Sequence, residues 1–519
     1  MKTKTLFDIS LLDENNINEI SNNLNILSSD PTGQNIFYDK AIDVIKDINF
    51  SSKPGVVLLS KLNEIIFDFN RLYLILRQLD YFERNDMMPL YKKEHYPHMD
   101  YILNNSQRIH PYWIRKDLSM STKIKINIRN TINKFTASIN KKNIIDGYMK
   151  NPLLLSYVNE NKKHLLDYRL HEQEWGKIKN IGSDIEDIID LLEKKYKHIL
   201  LEFNFNKEYT EKANNILKSS INYHMKKANH DYDMLPALLD EKYMQNIFIS
   251  GTPKYLGRLV GSYYQKMSKS VWRFAHGGDR AFFNDYNFSV VEFPYCDKYF
   301  CHSLQEASNL KNRLKEKKII NLGFDNIQFT TSINQRSINI FNKSDKPNKN
   351  KNSIIYFCAT YIGEKLIRPM NERCSDLQYI EWQSWLLSKL KSMNYNVIIK
   401  RHPKGILTDA MFYEKYANKV INDDDLSESS ASCYLFDFFG TAMFDAMATK
   451  TGIIYFDLGL REFDKNSKND FASRCKVVDC LLDNNRFRVD EKKLLESLEE
   501  GINYNYQDMT QFYETNLNK

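Results

Sequence analysis

The segments VIIKRHP (397–403), CYLFDFFGTAMFDAMAT (433–449) and GIIYFD (452–457) decide the fold of this chain. Each apolar run predicts a buried strand, and the first must end at Pro403, which has no amide hydrogen for a sheet ladder. The second run ends at Gly440-Thr441, where Thr441 is suited to cap a helix over 442–449. The order strand, loop, strand, turn, helix, strand predicts a parallel α/β unit.

Two loops of this unit are suited to bind an anion. The first strand ends in Lys400-Arg401-His402, which brings two cations and an imidazole to its C-terminal end. A helix that begins at Thr441 leaves the amides of its first turn available. Ligands of open parallel sheets bind at the carboxyl edge, so we predict a phosphate pocket where these two loops meet. For each loop taken singly, a solvated basic loop or an ordinary helix cap is the alternative.

Another candidate loop follows a predicted strand over 270–275 and reads His276-Gly277-Gly278. Two glycines allow a sharp turn and leave space beside the imidazole. A histidine at a strand end facing a cleft can take a proton from a hydroxyl group near neutral pH. The alternative is a histidine that only caps the turn.

The basic motif at residues 400–403 and the hydroxyl-bearing motif at Gly440-Thr441 together resemble motifs of a known group of enzymes. Lys400-Arg401-His402-Pro403, followed by the segment from Asp437 to Asp445 with Gly440-Thr441 at its centre, resembles the donor half of GT-B transferases that use cytidine nucleotides. These enzymes include transferases of CMP-activated ulosonic acids and the CDP-glycerol polymerases of teichoic acid synthesis. The resemblance implies that the donor nucleotide is held by Lys400, Arg401, His402, Pro403, Gly440, Thr441 and Asp445. Gly440 stands where a first hydroxyl residue is common, which leaves Thr441 as the side-chain hydroxyl for the phosphate.

The His276 loop carries a second resemblance. It is similar to the His-Gly-Gly loop of a bacterial family of surface-carbohydrate transferases and to the His-Gly-Thr acceptor loop of the CDP-glycerol polymerases. This implies that His276 is the acceptor-side base, with Asp279 and Glu292 as weaker catalytic candidates. In the loop after a predicted strand over 354–358, Tyr361, Lys365 and Arg368 are further candidates for holding the donor phosphate, with solvated loop cations as the alternative.

The composition excludes several classes of protein. The chain has 519 residues, 42% of them hydrophobic, and its net charge of +7 is too mild for a nucleic-acid-binding protein. Its seven cysteines form no CxxC pair, which with the lack of a signal peptide indicates a reducing cytoplasm. No apolar run is long enough to span a bilayer, and no residue cluster has metal-site spacing. We therefore expect a cytoplasmic protein, placed at the inner face of the membrane if its acceptor is lipid-linked.

The pattern divides the chain into four parts. Residues 1–240 form a helix-rich region, with loops over 84–118 and mainly helix over 122–227, that is part of the acceptor domain or inserted into it. Residues 241–342 are a Rossmann-like acceptor-side domain, and a polar linker over 342–352 leads to a Rossmann-like nucleotide-donor domain at 353–485. As the GT-B resemblance implies, helices in 486–519 are expected to cross back to the first domain.

The expected fold is therefore α/β of the GT-B type, with two Rossmann-like domains facing a cleft and a large helical elaboration in the N-terminal half. The resemblance implies transfer of an ulosonic acid of the Kdo or nonulosonate type from a CMP-activated donor to a hydroxyl of a bacterial surface glycan. The alternatives are a CDP-glycerol or CDP-alditol phosphotransferase and an inactive partner that binds nucleotide or glycan. The expected partners are the nucleotide-sugar donor and a glycan or lipid-linked glycan, with peripheral membrane contact and no nucleic acid. We expect no metal or further cofactor, because helix amides and cations can stabilise a leaving phosphate.

Overall fold

The structure, a computed structural model, describes most of the chain. The described residues are 2–11, 40–106, 142–147, 151–161, 165–167, 182–238, 244–250, 255–284, 292–315, 327–332, 334–344, 352–359, 361, 374–402, 411–421 and 431–504. They contain two six-stranded sheets in which every strand pair is parallel, surrounded by helices. The protein is therefore an α/β protein.

A small two-stranded sheet and two helices open the described chain. They are β1 (Thr3–Leu6), α1 (Lys53–Arg84), β2 (Met87–Leu90) and α2 (Pro97–Asn104). We expected loops over 84–118, but β2 and α2 lie in this range. The strand β2 contains a proline and has only four residues, so its strand character depends on parallel pairing with β1 far away in the sequence.

The first six-stranded sheet begins earlier in the chain than we expected. Its elements are β3 (Lys142–Gly147), α3 (Pro152–Glu160), β4 (Leu165–Asp167), α4 (Ser183–Glu202), α5 (Lys207–Leu238), β5 (Met244–Ser250), α6 (Tyr255–Lys266), β6 (Val271–Phe274), β7 (Lys298–Cys301), α7 (Leu304–Lys315), β8 (Gln328–Thr331) and α8 (Gln335–Lys343). The strand order is β4-β3-β5-β6-β7-β8. Two of these strands, β3 and β4, precede the boundary predicted at residue 241 and lie within the range 122–227 predicted as mainly helical. They belong to the sheet because β3 pairs with β5 along its length.

The helical elaboration of the N-terminal half packs on this first sheet. The rings of Phe69 on α1 and Tyr196 on α4 lie 4.4 Å apart, and both side chains are fully buried. A buried ion pair joins α1 to α6, with Arg258 Nη2 2.7 Å from Oε1 of Glu64. An ion pair without solvent needs well-placed hydrogen bonds to offset desolvation, and Arg258 Nε also donates to the Ser60 carbonyl at 2.8 Å. The N-terminal helices are thus fixed to α6 through the interior.

The second six-stranded sheet follows the sequence pattern closely. Its elements are β9 (Ser353–Phe357), α9 (Asp376–Ser392), β10 (Asn396–Lys400), α10 (Met411–Glu414), β11 (Lys419–Ile421), β12 (Cys433–Phe436), α11 (Thr441–Met447), β13 (Gly452–Asp457), α12 (Lys468–Arg474) and β14 (Lys476–Asp479). Every residue of β9 is buried, as in a parallel strand covered on both faces. A capping box formed by Ser375 and Gln378 starts α9.

The strand order of the second sheet, β11-β10-β9-β12-β13-β14, is that of the dinucleotide-binding doubly wound fold. When the strands of this sheet are numbered along the chain from β9, the spatial order is 3-2-1-4-5-6. The direction in which successive strands are added therefore reverses between β9 and β12. The loops after β10 and β12, which carry the two predicted phosphate-binding motifs, lie on either side of this point. Crevices at such reversal points are where ligands of open α/β sheets bind.

The C-terminal residues that are described stay with the second sheet. After a hairpin of β15 (Leu481–Asp483) and β16 (Arg486–Arg488), α13 (Glu491–Ile502) packs through Leu494, Leu498 and Gly501. A Cβ on Gly501 would come within 2.9 Å of Cys433 Sγ, which shows how closely this helix approaches β12. We expected this region to cross back to the first domain; its described part, up to residue 504, packs on β12, β13 and β14. Residues 505–519 lie outside the described chain.

The carboxyl edges of the two sheets face each other and are in contact. An antiparallel bridge pairs Phe283, in the loop region after β6, with Phe463, in the loop after β13. The rings of these residues lie 4.4 Å apart. Close by, Arg461 Nη2 contacts Asp279 Oδ2 at 3.1 Å. The loops that follow the strands of both sheets therefore form one continuous region.

Candidate functional site

A cavity of about 310 Å³ lies between the carboxyl edges of the two sheets. Its lining residues are Asn151, Pro152, His276, His302, Asn334, Arg336, Lys400, Thr441, Ala442, Phe444 and Asp445. Each of them ends a strand or follows one: β3, β6, β7 and β8 in the first sheet, and β10 and β12 in the second. Among these residues are His276, Lys400, Thr441 and Asp445, which the sequence singled out. The structure thus brings residues from both predicted motifs and from the His-Gly-Gly loop to one place.

The loop that carries His276 is held by an asparagine that the sequence analysis did not single out. Asn151 donates from Nδ2 to the carbonyl of Ala275 at 2.8 Å, and its Oδ1 accepts from the amide of Leu153 at 3.0 Å. The same side chain therefore caps α3 and fixes the backbone immediately before His276. The His276 side chain itself is exposed. An exposed imidazole on a fixed backbone is suited to meet a ligand without rearrangement of the loop.

Gly278 allows the second sheet to approach this loop. A Cβ added at Gly278 would lie 2.0 Å from Cδ2 of Phe444, a residue of α11, so only glycine accommodates the ring there. We expected the two glycines to leave space beside the imidazole. At Gly278 that space is filled by Phe444, which also lines the cavity.

The weaker catalytic candidates, Asp279 and Glu292, lie in an ion-pair network beside the cavity. Asp279 contacts Arg280 and Arg461, whose charges lower the pKa of its carboxyl group to about 2, although burial acts to raise it. Glu292 is 2% exposed and accepts from Arg280 and, at 2.6 Å, from the hydroxyl of Tyr299. Neither residue lines the cavity. Both carboxylates have arginine partners, which is the arrangement expected of groups that hold loops together.

Lys400 is the cation that the end of β10 brings to the cavity. It is the last residue of β10, it is 8% exposed, and its Nζ lies 5.7 Å from the ring centroid of Phe357. Arg401 and His402 follow it, are partly buried, and are not among the lining residues. Three other residues predicted to bind the donor nucleotide lie outside the described residues: Pro403, Lys365 and Arg368.

Tyr361 is placed in the core of the second sheet's helical layer and not at the cavity. It is 2% exposed, and its hydroxyl donates to Oε1 of Gln383 on α9. Burial raises the pKa of this hydroxyl well above its ordinary value. The residue therefore contributes packing and a buried hydrogen bond in the described structure.

Thr441 lies at the cavity, but it does not cap α11 as we predicted. The N-cap is Gly440, whose extended backbone (φ −143°, ψ −169°) places it just outside the helix, and its carbonyl accepts from the amide of Phe444 at 3.2 Å. Thr441 already has helical conformation and is the first residue of the helix. Its exposed side chain is therefore not used as a cap and lines the cavity.

Asp445 holds an arginine from the opposite sheet. Arg336, on α8, contacts both carboxylate oxygens of Asp445, with Nε 3.1 Å from Oδ1 and Nη2 2.7 Å from Oδ2. The Arg336 side chain is about half exposed, whereas Asp445 is buried. This bidentate pair joins α8 to α11 across the cavity and places a guanidinium in its wall.

His302 and Asn334 complete the wall, and the sequence analysis did not single them out. His302 stands between β7 and a helix start in which the Glu306 amide donates to Ser303 Oγ at 3.0 Å and the His302 amide donates to Glu306 Oε2 at 2.6 Å. The sequence Ser-x-x-Glu directly after a strand and a histidine is a helix-start signal that identifies the position, although here the glutamate accepts from the amide of His302. Asn334 and Arg336 stand beyond β8, where no pattern in the sequence marks them.

The charges of the cavity wall favour an anionic ligand. Lys400 and Arg336 contribute two positive charges against the single carboxylate of Asp445, and two imidazoles add hydrogen-bonding capacity.

Within the described residues, no three His, Cys, Asp or Glu side chains come together in an arrangement that would hold a metal ion. Over the same part of the chain, every helix is too short or too polar to cross a bilayer.

No protein-family model matches the sequence, and no curated protein resembles it at a significant level.

Proposed function

We propose that the protein is a glycosyltransferase of the GT-B type that transfers an ulosonic acid from a CMP-activated donor to a hydroxyl group of a glycan. The observation that carries the proposal is the cavity at the carboxyl edges of two parallel sheets, with His276 on one side and Lys400 and Thr441 on the other. Open parallel sheets bind nucleotides at this edge. A donor on the second sheet and an acceptor beside the first would meet in this space.

The second sheet supplies the groups that a departing phosphate needs. In the proposed reaction the bond between the anomeric carbon and the phosphate oxygen breaks, and CMP leaves with the electron pair. The Lys400 ammonium is largely removed from water, where its attraction to a phosphate is stronger than at the surface. The Thr441 hydroxyl, which lines the same wall, can donate a further hydrogen bond.

The first sheet supplies a base for the acceptor. As the acceptor oxygen bonds to the anomeric carbon, its proton must leave, and the proposal assigns that proton to the imidazole of His276. This side chain is exposed, lines the cavity and follows a backbone fixed by Asn151. Asp279 and Glu292 are less suited to the role because their carboxylates are engaged by Arg280.

Ligand-induced stabilisation tests the donor class. A ligand that binds the folded protein raises its melting temperature, so CMP and CDP should raise it and UDP and GDP should not. Stabilisation by UDP alone would contradict the assignment of a cytidine nucleotide. Mass spectrometry of products then separates the candidates: a glycosidic product with CMP released supports the proposal, and a phosphodiester product supports the phosphotransferase.

The His276→Ala variant tests whether the site is catalytic. It should abolish transfer and leave CMP affinity within a few-fold of the wild-type value, because the proposed role of His276 concerns the acceptor. His198→Ala is a matched control, since that histidine is 78% exposed on α4, away from the cavity. Unchanged transfer by His276→Ala would refute the assignment. A wild-type protein that binds CMP but transfers nothing would favour the inactive binding partner.

A further inference from the structure

We infer that His302 donates a hydrogen bond from Nε2 to a phosphate or carboxylate oxygen of the ligand that occupies the cavity between the two sheets. The inference rests on the function proposed above and extends it to a residue outside the predicted motifs. His302 follows β7, is 6% exposed and lines the cavity. Its ring lies 4.6 Å from that of Phe444, which approaches from the second sheet.

The tautomer of His302 follows from its neighbours. The amide of Ser337 donates to Asn334 Oδ1 at 3.2 Å, which identifies the oxygen of that side-chain amide. The other end of the amide, Nδ2, is therefore the donor to His302 Nδ1, 3.1 Å away. Because Nδ1 accepts, the proton of the neutral imidazole must be on Nε2. The helix start at α8 thus determines which ring nitrogen of His302 can donate.

The surroundings of His302 keep the ring neutral. Burial, reinforced by the nearby charge of Arg280 and by that of His276 when its ring is protonated, lowers the pKa of His302 to about 3, and the carboxylate of Asp279 opposes this only in part. The ring is therefore a neutral donor with one N–H at physiological pH. It can bind an anionic oxygen without a change in its own protonation.

The Nε2 atom of His302 is buried and has no hydrogen-bond partner among the described residues. None of the other side chains that line the cavity, all of them described, contains such an atom. A buried N–H without an acceptor costs free energy, and native proteins leave few such groups unpaired. A donor left without a partner in the wall of a cationic cavity is explained if a ligand supplies the acceptor.

The cavity chemistry identifies the class of acceptor. Lys400 and Arg336 favour an anion, and the oxygens of phosphate and carboxylate groups are the acceptors that a CMP-activated ulosonic acid offers. The exposed side chain of His276 lines the same cavity and lies close enough to influence His302 electrostatically. Binding would then place both imidazoles against the same substrate.

Two substitutions distinguish the role of His302 as a hydrogen-bond donor to the ligand from a purely structural role. His302→Asn keeps a side-chain group near Nδ1 that can pair with Asn334 and removes the Nε2 donor, whereas His302→Gln places an amide nitrogen near Nε2. Calorimetric titration should show affinity lowered by about tenfold or more in His302→Asn and largely retained in His302→Gln. The probes are CMP and a free ulosonic acid. Loss for CMP alone assigns the acceptor to the phosphate, and loss for the sugar acid alone assigns it to the carboxylate.

The remaining outcomes decide against the inference. If wild type binds CMP and His302→Asn binds both probes with unchanged affinity, His302 is not a ligand donor, while the proposed function stands. If wild type binds neither probe, both proposals are overturned. Nitrogen-15 spectra of histidine-labelled wild type cover the case in which His302→Asn fails to fold. They should show the Nε2-protonated tautomer with an Nε2 resonance that moves on ligand addition, and the opposite tautomer, or a resonance that does not move, would overturn the inference.

Discussion

The Asp437→Asn substitution should make the stability of the protein less dependent on pH. Asp437 follows β12 and is 3% exposed, and its carboxylate accepts from the Tyr379 hydroxyl at 2.5 Å, from Trp382 Nε1 at 2.9 Å and from the Tyr356 hydroxyl. All three donors are neutral. Burial raises the pKa of Asp437 to about 6, even though the donors act to lower it.

The magnitude follows from the difference between the folded and unfolded pKa. The ordinary value is 3.8 and the folded value about 6, so the shift corresponds to roughly 3 kcal/mol at 1.36 kcal/mol per pKa unit. Because the folded state keeps the proton to higher pH, this contribution is fully present below the unfolded pKa and is lost as pH rises through the folded pKa. The free energy of unfolding of the wild type should therefore fall between about pH 4 and about pH 7 relative to that of Asp437→Asn.

Urea unfolding at several pH values, followed by tryptophan fluorescence, measures this difference. Trp382 donates directly to Asp437 and so reports on the same region. Other titrating groups cancel in the comparison, including Glu306, whose pKa burial raises to about 8. A difference between the two proteins that does not change with pH, or that changes in the opposite direction, would show that the three donors outweigh burial and would refute the reasoning.

Three further outcomes are expected. Gly278→Ala should lower the free energy of unfolding by about 1–3 kcal/mol, since its Cβ would collide with Phe444, whereas Gly277→Ala, whose Cβ would meet nothing closer than 3.5 Å, should have little effect; equal melting temperatures would contradict this. Lys400→Gln should weaken CMP binding by about tenfold, measured by calorimetry, whereas substitution of the exposed Lys419 by Gln should leave the affinity unchanged. Equal CMP affinities of wild type and Lys400→Gln would show that Lys400 does not bind the nucleotide. Transfer activity should persist when divalent ions are chelated by EDTA, and loss of activity restored by Mg²⁺ would show that a metal takes part.

The second sheet could be predicted from the sequence because its signals are local. Strands β10 and β13 are apolar runs bounded by a proline-containing loop or by glycine, and α9 begins at a capping box. In the first sheet, β3 has only two adjacent isoleucines, at 144 and 145, and β4 has three residues. Their strand character is determined by pairing with β5, a long-range interaction that periodicity within one window does not contain.

The residues of the site divide in the same way into those that local sequence motifs mark and those that only long-range contacts place there. Strand-end motifs identified His276, Lys400 and Thr441, and the parallel topology explains why they meet. The role of Asp445 could not be read locally, because its partner Arg336 lies 109 residues away in the sequence. His302 escaped notice for a related reason, since its importance lies in a nitrogen that the surrounding fold leaves without an acceptor.

The position of α4 and α5 has a consequence for how this protein can be cut and assembled. These helices are inserted in the chain between β4 and β5, yet β3 and β5 are adjacent in the sheet. A protease that nicks the connection between α4 and α5 would not release the N-terminal fragment, because sheet hydrogen bonds and packed helices bridge the break. For the same reason, a recombinant piece that starts at residue 241 would expose the edge of β5 and aggregate.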